Sequence, residues 1–119
     1  MALEFDPACT FCRIVAGTIP SAGIYADDAV FAFRDRNPVA PVHVLVVPRQ
    51  HIPGINSPLA QDGVLLSSLI RVANQIAGSE GIAGSGYRLL WNVGPDAGQS
   101  VFHLHLHLIG GRPLGWPPG

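Results

Sequence analysis

The sequence predicts an α+β fold, in which an antiparallel sheet of about five strands carries one main helix on a face. Three observations lead to this class. Short runs of β-branched or alternating residues recur along the chain, one long segment repeats its apolar residues at helical spacing, and few helices are placed to connect parallel strands. The 119 residues are expected to form a single domain, 1–119, with 110–119 as a C-terminal tail.

The first half of the chain predicts a short helix followed by three strands. The helix is expected over Cys9–Ala16, because Gly17 is a natural residue to end a helix and Pro20 follows soon after. Asparagine and proline residues separate the strands that come next, and the third strand is strongly β-branched. These strands are expected at Ile24–Ala26, Ala29–Arg34 and Val42–Val47.

The second half predicts the main helix and two further strands. Ser57 has the side chain of a helix N-cap and Pro58 suits the first helical position, so the helix is expected over Leu59–Ala77. Its apolar residues recur at helical spacing and form one face: Leu65, Leu69, Val72, Ala73 and Ile76. A glycine-rich link leads to a strand expected at Tyr87–Asn92, and a loop over 94–100 precedes the last strand.

Charged residues are scarce, at 13% of the chain, and the formal net charge is −1. Because there is no run of Lys or Arg, nucleic acid is not expected as a partner. No apolar run approaches the roughly 20 residues that cross a bilayer, and the first residues do not have the pattern of a signal peptide. We therefore expect no membrane association and a cytoplasmic location. In that compartment Cys9 and Cys12 form a metal half-site or a redox pair rather than a structural disulfide.

The most informative stretch runs from Gln99 to Ile109. If it is a strand, one face carries three histidines: His103, His105 and His107. The other face carries three leucines that can pack against the main helix: Leu104, Leu106 and Leu108. Imidazoles on one strand suit a zinc site, and a neutral imidazole is also a nucleophile. The periodicity alone does not choose between these two kinds of chemistry.

This stretch resembles the signature of the histidine triad family, and in particular its Hint branch. Residues 31–51 resemble the other half-site of that family, 92–100 its phosphate loop, and the ending 110–119 that of the Hint branch. The resemblance covers nearly the whole chain. It implies a HIT-like fold, a purine nucleotide substrate, a covalent nucleotidyl-histidine intermediate, and a homodimer whose two sheets join into one.

The resemblance also implies catalytic roles. His105 is the expected nucleophile at the α-phosphate, and His107 is expected to donate to the phosphate oxygens. His43 is expected to support His105 from the neighbouring strand. Ser100 is expected to hydrogen-bond the phosphate or the leaving group. The ending at Trp116 is expected to approach the partner's active site and to influence which leaving group is accepted.

A nucleotide pocket follows from the same resemblance. Asp35 is expected to bind both ribose hydroxyls, which suits a side chain that only accepts hydrogen bonds. The apolar walls around the base are expected from Phe11, Phe33, Ile14 and Leu45. The phosphate is expected to contact Asn92, Gly98, Gln99, Ser100, Val101 and His107. Arg36 departs from the Hint branch, which usually has an aliphatic residue beside the base.

A structural zinc site is the second expected constellation. Its ligands by resemblance are Cys9, Cys12, His51 and His103, which make up the Cys₂His₂ set common in structural zinc sites. The set leaves His105 and His107 free for chemistry. A reduced cysteine pair without metal is the alternative.

The predicted function is hydrolysis of purine nucleoside phosphoramidates. One alternative is a dinucleoside polyphosphate hydrolase or phosphorylase, which shares the triad but not the compact ending Trp-Pro-Pro-Gly. The other alternative is a zinc-stabilised nucleotide-binding module with little turnover. The joint presence of His105, His107 and Ser100 favours an enzyme over such a module.

Overall fold

The computed structural model describes residues 5–119. Its centre is a five-stranded sheet in which each neighbouring pair is antiparallel, in the order β1-β2-β3-β5-β4. The strands are β1 (Gly23–Ala26), β2 (Val30–Arg34), β3 (Val42–Pro48), β4 (Tyr87–Leu90) and β5 (Leu106–Gly110). The helices are α1 (Thr10–Val15) and α2 (Gly63–Ser79), and two short 3₁₀ turns lie at Pro58–Ala60 and Pro95–Ala97. The α+β prediction, with one main helix and one short helix, is confirmed.

The main helix α2 covers one face of the sheet. Its apolar residues Leu69, Val72 and Ala73 are fully buried against the inward side chains of the central strands. The three leucines that alternate with the histidines belong to this core: Leu104, Leu106 and Leu108. Side chains alternate along β2, and Val30 and Ala32 point into the same core.

The short helix α1 covers part of the opposite face. Phe33 and Phe31, the other side of the β2 alternation, pack there against α1 together with Leu45 and Val47 of β3. Every residue of β3 is therefore buried, since it has covered neighbours on both faces. The face beneath α1 is where the functional side chains gather.

The predicted start of the main helix is wrong. Ser57 caps only the 3₁₀ turn that begins at Pro58, with Oγ accepting from the Leu59 N–H. The helix itself begins at Gly63 with Asp62 as its N-cap, whose Oδ1 accepts from the N–H groups of Val64 and Leu65 at 3.0 and 3.2 Å. The two candidate N-caps, Ser57 and Asp62, lie five residues apart. The long helix begins after Asp62, which is next to the segment whose apolar residues recur at helical spacing.

The predicted triad strand is also shorter than expected, because β5 begins only at Leu106. His103 lies before it and is fully buried, so it is not part of an open polar surface, although its ring and the His105 ring both contact Phe11 on the α1 side of the sheet. The backbone there turns aside, since the Leu104 N–H donates to the Ile52 carbonyl rather than to a strand neighbour. The β4 strand likewise ends at Leu90, two residues before the predicted Asn92.

Within residues 5–119, none of the helices combines the length and apolarity needed to cross a membrane. The expectation about a signal peptide rests partly on residues 1–4, which lie outside the described residues.

Candidate active site and metal centre

A cavity of about 520 Å³ opens between α1, the end of β2, the middle of β3, and the loop that precedes β5. Most of the expected catalytic and nucleotide-binding residues line it: Phe11, Ile14, Phe33, Asp35, Leu45, Asn92, Gly98, Ser100, Val101, His105 and His107. The other three lie outside its lining. His43 bonds to the His107 ring, Gln99 braces the loop, and Trp116 belongs to the tail.

The His105 ring is oriented by the backbone carbonyl of His103, which accepts a hydrogen bond from Nδ1 at 2.7 Å. A carbonyl oxygen cannot donate, so Nδ1 carries the proton and Nε2 keeps its lone pair. The ring also packs edge-on against Phe11, with centroids 5.0 Å apart. In this tautomer the lone pair that a nucleophile requires is on Nε2, the ring nitrogen farther from the backbone.

Hydrogen bonds also fix the tautomer of His107, through a relay that starts at the backbone of Val39. The Val39 N–H donates to His43 Nδ1 at 3.1 Å, so a neutral His43 carries its proton on Nε2. His43 Nε2 then donates to His107 Nδ1 at 2.9 Å. His107 therefore presents an N–H at Nε2, a buried atom with no hydrogen-bond partner among residues 5–119. Such an N–H is available to a ligand in the cavity.

The partner of His43 differs from the expectation, because His43 supports His107 and not His105. The strand register explains the difference. His43 of β3 pairs with Ile109 of β5, so the same-face diagonal neighbour two residues along is His107. His105 lies two residues before His107 and precedes the first residue of β5.

Burial keeps these imidazoles neutral. It lowers the pKa of His105, although the hydrogen bond to the His103 carbonyl and the charge of Asp35 act in the opposite direction. It lowers the pKa of His43, again against the effect of Asp35, and it lowers the pKa of His107 to about 4. At neutral pH the two residues in the cavity wall thus have the protonation states that their hydrogen bonds indicate.

Asp35 follows the end of β2 and is half-buried in the cavity wall. Its Oδ1 accepts from the Asn37 N–H at 2.8 Å, and its Oδ2 lies 3.4 Å from His43 Nε2. The carboxylate therefore has a fixed position and spare acceptor capacity, which suits a ligand with hydroxyl groups.

The loop before β5 brings backbone groups and one hydroxyl to the cavity. Gly98 has a φ of +83°, a left-handed conformation that glycine adopts without strain. The Gln99 side chain accepts from the Gly94 N–H at 2.9 Å and donates to the Pro53 carbonyl at 3.1 Å, so it holds the loop in shape. Ser100 next to it lines the cavity.

Four apolar side chains form a slot at the α1 side of the cavity: Phe11, Ile14, Phe33 and Leu45. The rings of Phe11 and Phe33 meet edge to face, with centroids 5.3 Å apart. A planar, weakly polar ring fits between such walls.

The four expected metal ligands converge beside this slot. The Sγ atoms of Cys9 and Cys12 and one ring nitrogen each from His51 and His103 all lie within 4.8 Å of one another. Cys12 Sγ is 3.3 Å from His51 Nδ1 and 3.5 Å from His103 Nδ1. Cys9 Sγ is 3.5 Å from His103 Nδ1. The corner from Pro48 to His51 therefore reaches α1.

The chemistry of these four donors fits a divalent metal ion. Two sulfurs and two imidazole nitrogens are a common tetrahedral set for zinc. His103 Nε2 donates to the Pro48 carbonyl at 2.8 Å, which leaves Nδ1 unprotonated and directed at the sulfurs. Burial raises the pKa of the Cys12 thiol to about 11, so a thiolate at this position requires a neighbouring cation.

Comparison with known proteins decides the family. A family model of the HIT domain matches residues 16–114. The chain belongs to the HIT family. It is 49% identical over 105 residues to the purine nucleoside phosphoramidase of Escherichia coli strain K12, covering 88% of each chain. It is 47% identical to an uncharacterized HIT-like protein of Synechocystis, covering 92% of this chain and 95% of that one.

Solved structures agree with this HIT fold. A HIT family hydrolase from Legionella pneumophila superimposes with a TM-score of 0.90 at 45% identity, over 93% of this chain and 99% of the other. A histidine triad protein from Clostridium difficile also gives 0.90, at 41% identity, over 94% and 97% of the two chains.

Sequence reasoning about this HIT domain missed part of the cavity wall. Thr10, Arg34, Asn37 and the segment 20–22 line the cavity as well. Asn37 could have been found, because it follows Asp35 by two residues. The segment 20–22 carries no signal in the sequence, since small residues and proline fit any loop. Arg36 lies in the same wall, next to Asp35.

The C-terminal tail of the HIT domain runs along β4. Arg88 donates to the Gly115 carbonyl at 2.9 Å, and Arg112 donates to the Val39 carbonyl at 2.8 Å. Trp116 is 83% exposed and does not line the cavity of its own chain.

Proposed function

We propose that the chain hydrolyses purine nucleoside phosphoramidates through a covalent nucleotidyl-histidine on His105. The observation that carries this proposal is the 2.7 Å hydrogen bond from His105 Nδ1 to the His103 carbonyl. It leaves Nε2 as a lone-pair nucleophile on a residue of the cavity wall. A metal-binding histidine is fixed in the same way, but His105 is not one of the four clustered metal-ligand candidates, so the free Nε2 is assigned to nucleophilic chemistry.

In the proposed reaction, His105 Nε2 forms a bond to the α-phosphorus while the phosphorus–nitrogen bond to the amine breaks. The amine leaves with that electron pair and takes up a proton from solvent. A water molecule then attacks the phosphorus, the electron pair of the phosphorus–histidine bond returns to Nε2, and the proton lost by the water goes to solvent. The products are a nucleoside monophosphate and a free amine.

His107 has the proposed role of stabilising the charge that develops on the phosphate oxygens. Its Nε2–H is a donor whose direction is fixed beforehand through His43 and the Val39 N–H. A donor that needs no reorganisation is worth most in a buried site, where the local dielectric is low. The Ser100 hydroxyl is proposed as a second donor to the phosphate or to the leaving group.

The rest of the nucleotide fits the remaining walls. We assign the ribose hydroxyls to Asp35 and the base to the slot between Phe11 and Phe33, extended by Ile14 and Leu45. The phosphate is assigned to Asn92 and to the loop 98–101. The name of the Escherichia coli relative, a purine nucleoside phosphoramidase at 49% identity, supports both the reaction and the purine base.

The metal ion, the dimer and the location remain part of this proposal. We propose that Cys9, Cys12, His51 and His103 hold Zn²⁺, which when bound supplies a structural crosslink and contacts none of the reacting atoms. A homodimer whose tails, including Trp116, approach the partner's cavity stays a prediction. A single domain over 1–119 and a cytoplasmic location stay predictions as well.

The test compares two substrates at equal concentration, an adenosine 5′-phosphoramidate and a diadenosine polyphosphate. The proposal predicts a higher kcat/KM for the phosphoramidate, and no hydrolysis of it by His105→Ala. Faster cleavage of the diadenosine compound contradicts the phosphoramidase and supports the sister activity. AMP binding without cleavage of either compound supports a binding module instead.

A further inference from the structure

His103 belongs to both the metal cluster and the active site. Its imidazole is held on two sides, with Nδ1 3.5 Å from each cysteine sulfur and Nε2 donating to the Pro48 carbonyl. Its backbone carbonyl is the acceptor that orients His105. The peptide that sets the tautomer of the nucleophile is therefore attached to a fully buried side chain of the cluster.

Phe11 makes a second connection between the two sites. It lies between Cys9 and Cys12 in the sequence, and its ring packs edge-on against the rings of His105 and His103, with centroids 5.0 and 6.0 Å away. The helix that carries it has only six residues, so its own hydrogen bonds hold it weakly. Cys9 is its N-cap and Cys12 is in its first turn, so the cluster adds a second attachment of α1 to the sheet beside its apolar packing.

We propose that the cluster of Cys9, Cys12, His51 and His103, when it holds its metal ion, positions the catalytic nucleophile. His103 acts on His105 through the carbonyl, and Phe11 acts on it through the ring contact. Both are positioning residues. Loss of the ion is expected to release the His105 imidazole from its single tautomer and to slow nucleotidylation, beyond any effect on stability. The rate effect rests on the proposed function, whereas the effect on the imidazole does not.

The His43–His107 relay provides an internal reference for this effect. It is anchored at the Val39 N–H, and its two histidines lie on β3 and β5 within the sheet. None of its hydrogen bonds involves a residue of the cluster. The His107 ring lies 4.9 Å from the His105 ring, but its tautomer is set by its own bond to His43. Loss of the ion should therefore change the tautomer of His105 and leave the tautomer of His107 as it was.

The experiment uses the full chain, labelled with ¹⁵N in its histidine rings, in three states: as purified with Zn²⁺, after removal of the ion with a chelator, and after Zn²⁺ is added back. Ring ¹⁵N shifts report the tautomers of His105 and His107. We expect His105 to change from one tautomer to a mixture, His107 to stay unchanged, and added Zn²⁺ to restore the first spectrum. An unchanged His105 spectrum in the metal-free, folded protein overturns the inference.

Two variants separate positioning from general destabilisation. Cys9→Ser removes one ligand and supplies the comparison if the chelated protein unfolds. Leu69→Ala weakens the core on the opposite face of the sheet and is the matched control. We expect Cys9→Ser to shift the His105 signals and Leu69→Ala to leave them unchanged. Equal changes in both variants, or none in Cys9→Ser, contradict positioning by the cluster.

Rates then measure the size of the effect. In a single turnover with an adenosine phosphoramidate, Cys9→Ser is expected to nucleotidylate His105 at least about tenfold more slowly, as removal of a group that orients a metal or catalytic side chain typically does. Its AMP affinity should fall less than its rate. If no form of the protein becomes nucleotidylated, the proposed function is wrong, and the ring spectra still decide the positioning of His105.

Discussion

Replacing His43 by alanine tests whether a relay fixes the proton of His107. The change removes the donor 2.9 Å from His107 Nδ1 and leaves the Val39 N–H without its acceptor. His107 can then carry its proton on either nitrogen, and only one of these tautomers donates from Nε2. His107 stays in the cavity wall, so the His43 change affects the orientation of His107 and does not remove a group that lines the cavity.

The expected loss follows from that distinction. Complete removal of a transition-state donor costs about 10²–10³ in kcat. Removal of the partner that orients a metal-bound histidine costs about 10–100-fold, and His43 orients His107 in the same manner. His43→Ala should therefore lower kcat about 10–100-fold, equivalent to about 1.4–2.7 kcal/mol of activation free energy. AMP affinity should change little, because the tautomer matters most when charge develops on the phosphate.

Steady-state kinetics on an adenosine phosphoramidate measure the loss, and a double-mutant cycle with His107→Ala assigns it. If His43 acts only through His107, the double variant is no slower than His107→Ala alone. His43→Gln is the matched variant, since its amide can accept from the Val39 N–H and donate to His107, and it should recover part of the rate. Additive losses, or a His43→Ala rate within twofold of the wild type, would refute the relay.

Three further predictions concern stability, pH and the tail. Leu69→Ala, at a fully buried site, should lower the free energy of unfolding by about 3–5 kcal/mol in denaturant titrations; Val64→Ala, at a 78% exposed site, should change it by less than about 0.5 kcal/mol, and similar losses for the two contradict the described core. His107 has a pKa of about 4 in the fold, below the 6.5 of a free imidazole, so the unfolded chain binds the extra proton and stability falls as the pH is lowered from 6.5 towards 4. Thermal unfolding should show that His107→Asn loses less stability than the wild type over this range, by on the order of 2–3 kcal/mol, and parallel curves for the two proteins contradict a buried neutral His107. Deletion of Trp116–Gly119 should change the preference among leaving amines more than AMP affinity, measured by kcat/KM for a series of phosphoramidates; an unchanged series contradicts a role for the tail.

Alternation and helical spacing were enough to predict most of the fold. Alternation assigned Leu104, Leu106 and Leu108 to the face that packs against the main helix, because the period of a strand is fixed by its backbone geometry. The helix start could not be predicted in the same way. Ser57 and Asp62 are both good N-caps, and only packing decides which of them precedes the long helix.

The functional site, too, could be predicted from the sequence only in part. The residues that gather around the cavity and the cluster could be predicted because their motifs resemble those of the histidine triad family. The sequence could not predict that His103 is fully buried, because that depends on the contacts of its ring with the Pro48 carbonyl and the cysteines. Nor could it identify the acceptor of His105 Nδ1 or the role of Val39, since both are backbone groups that carry no residue signature.

The central claim is that His105 carries the nucleotide during turnover, and the most direct test is the intact mass of the protein after rapid quenching with an adenosine phosphoramidate. Wild type should show a transient gain of one AMP that decays as product forms, and His105→Ala should show none. The adduct should map to His105 after proteolysis. Product formation without any adduct, or an adduct that persists in His105→Ala, would contradict the claim.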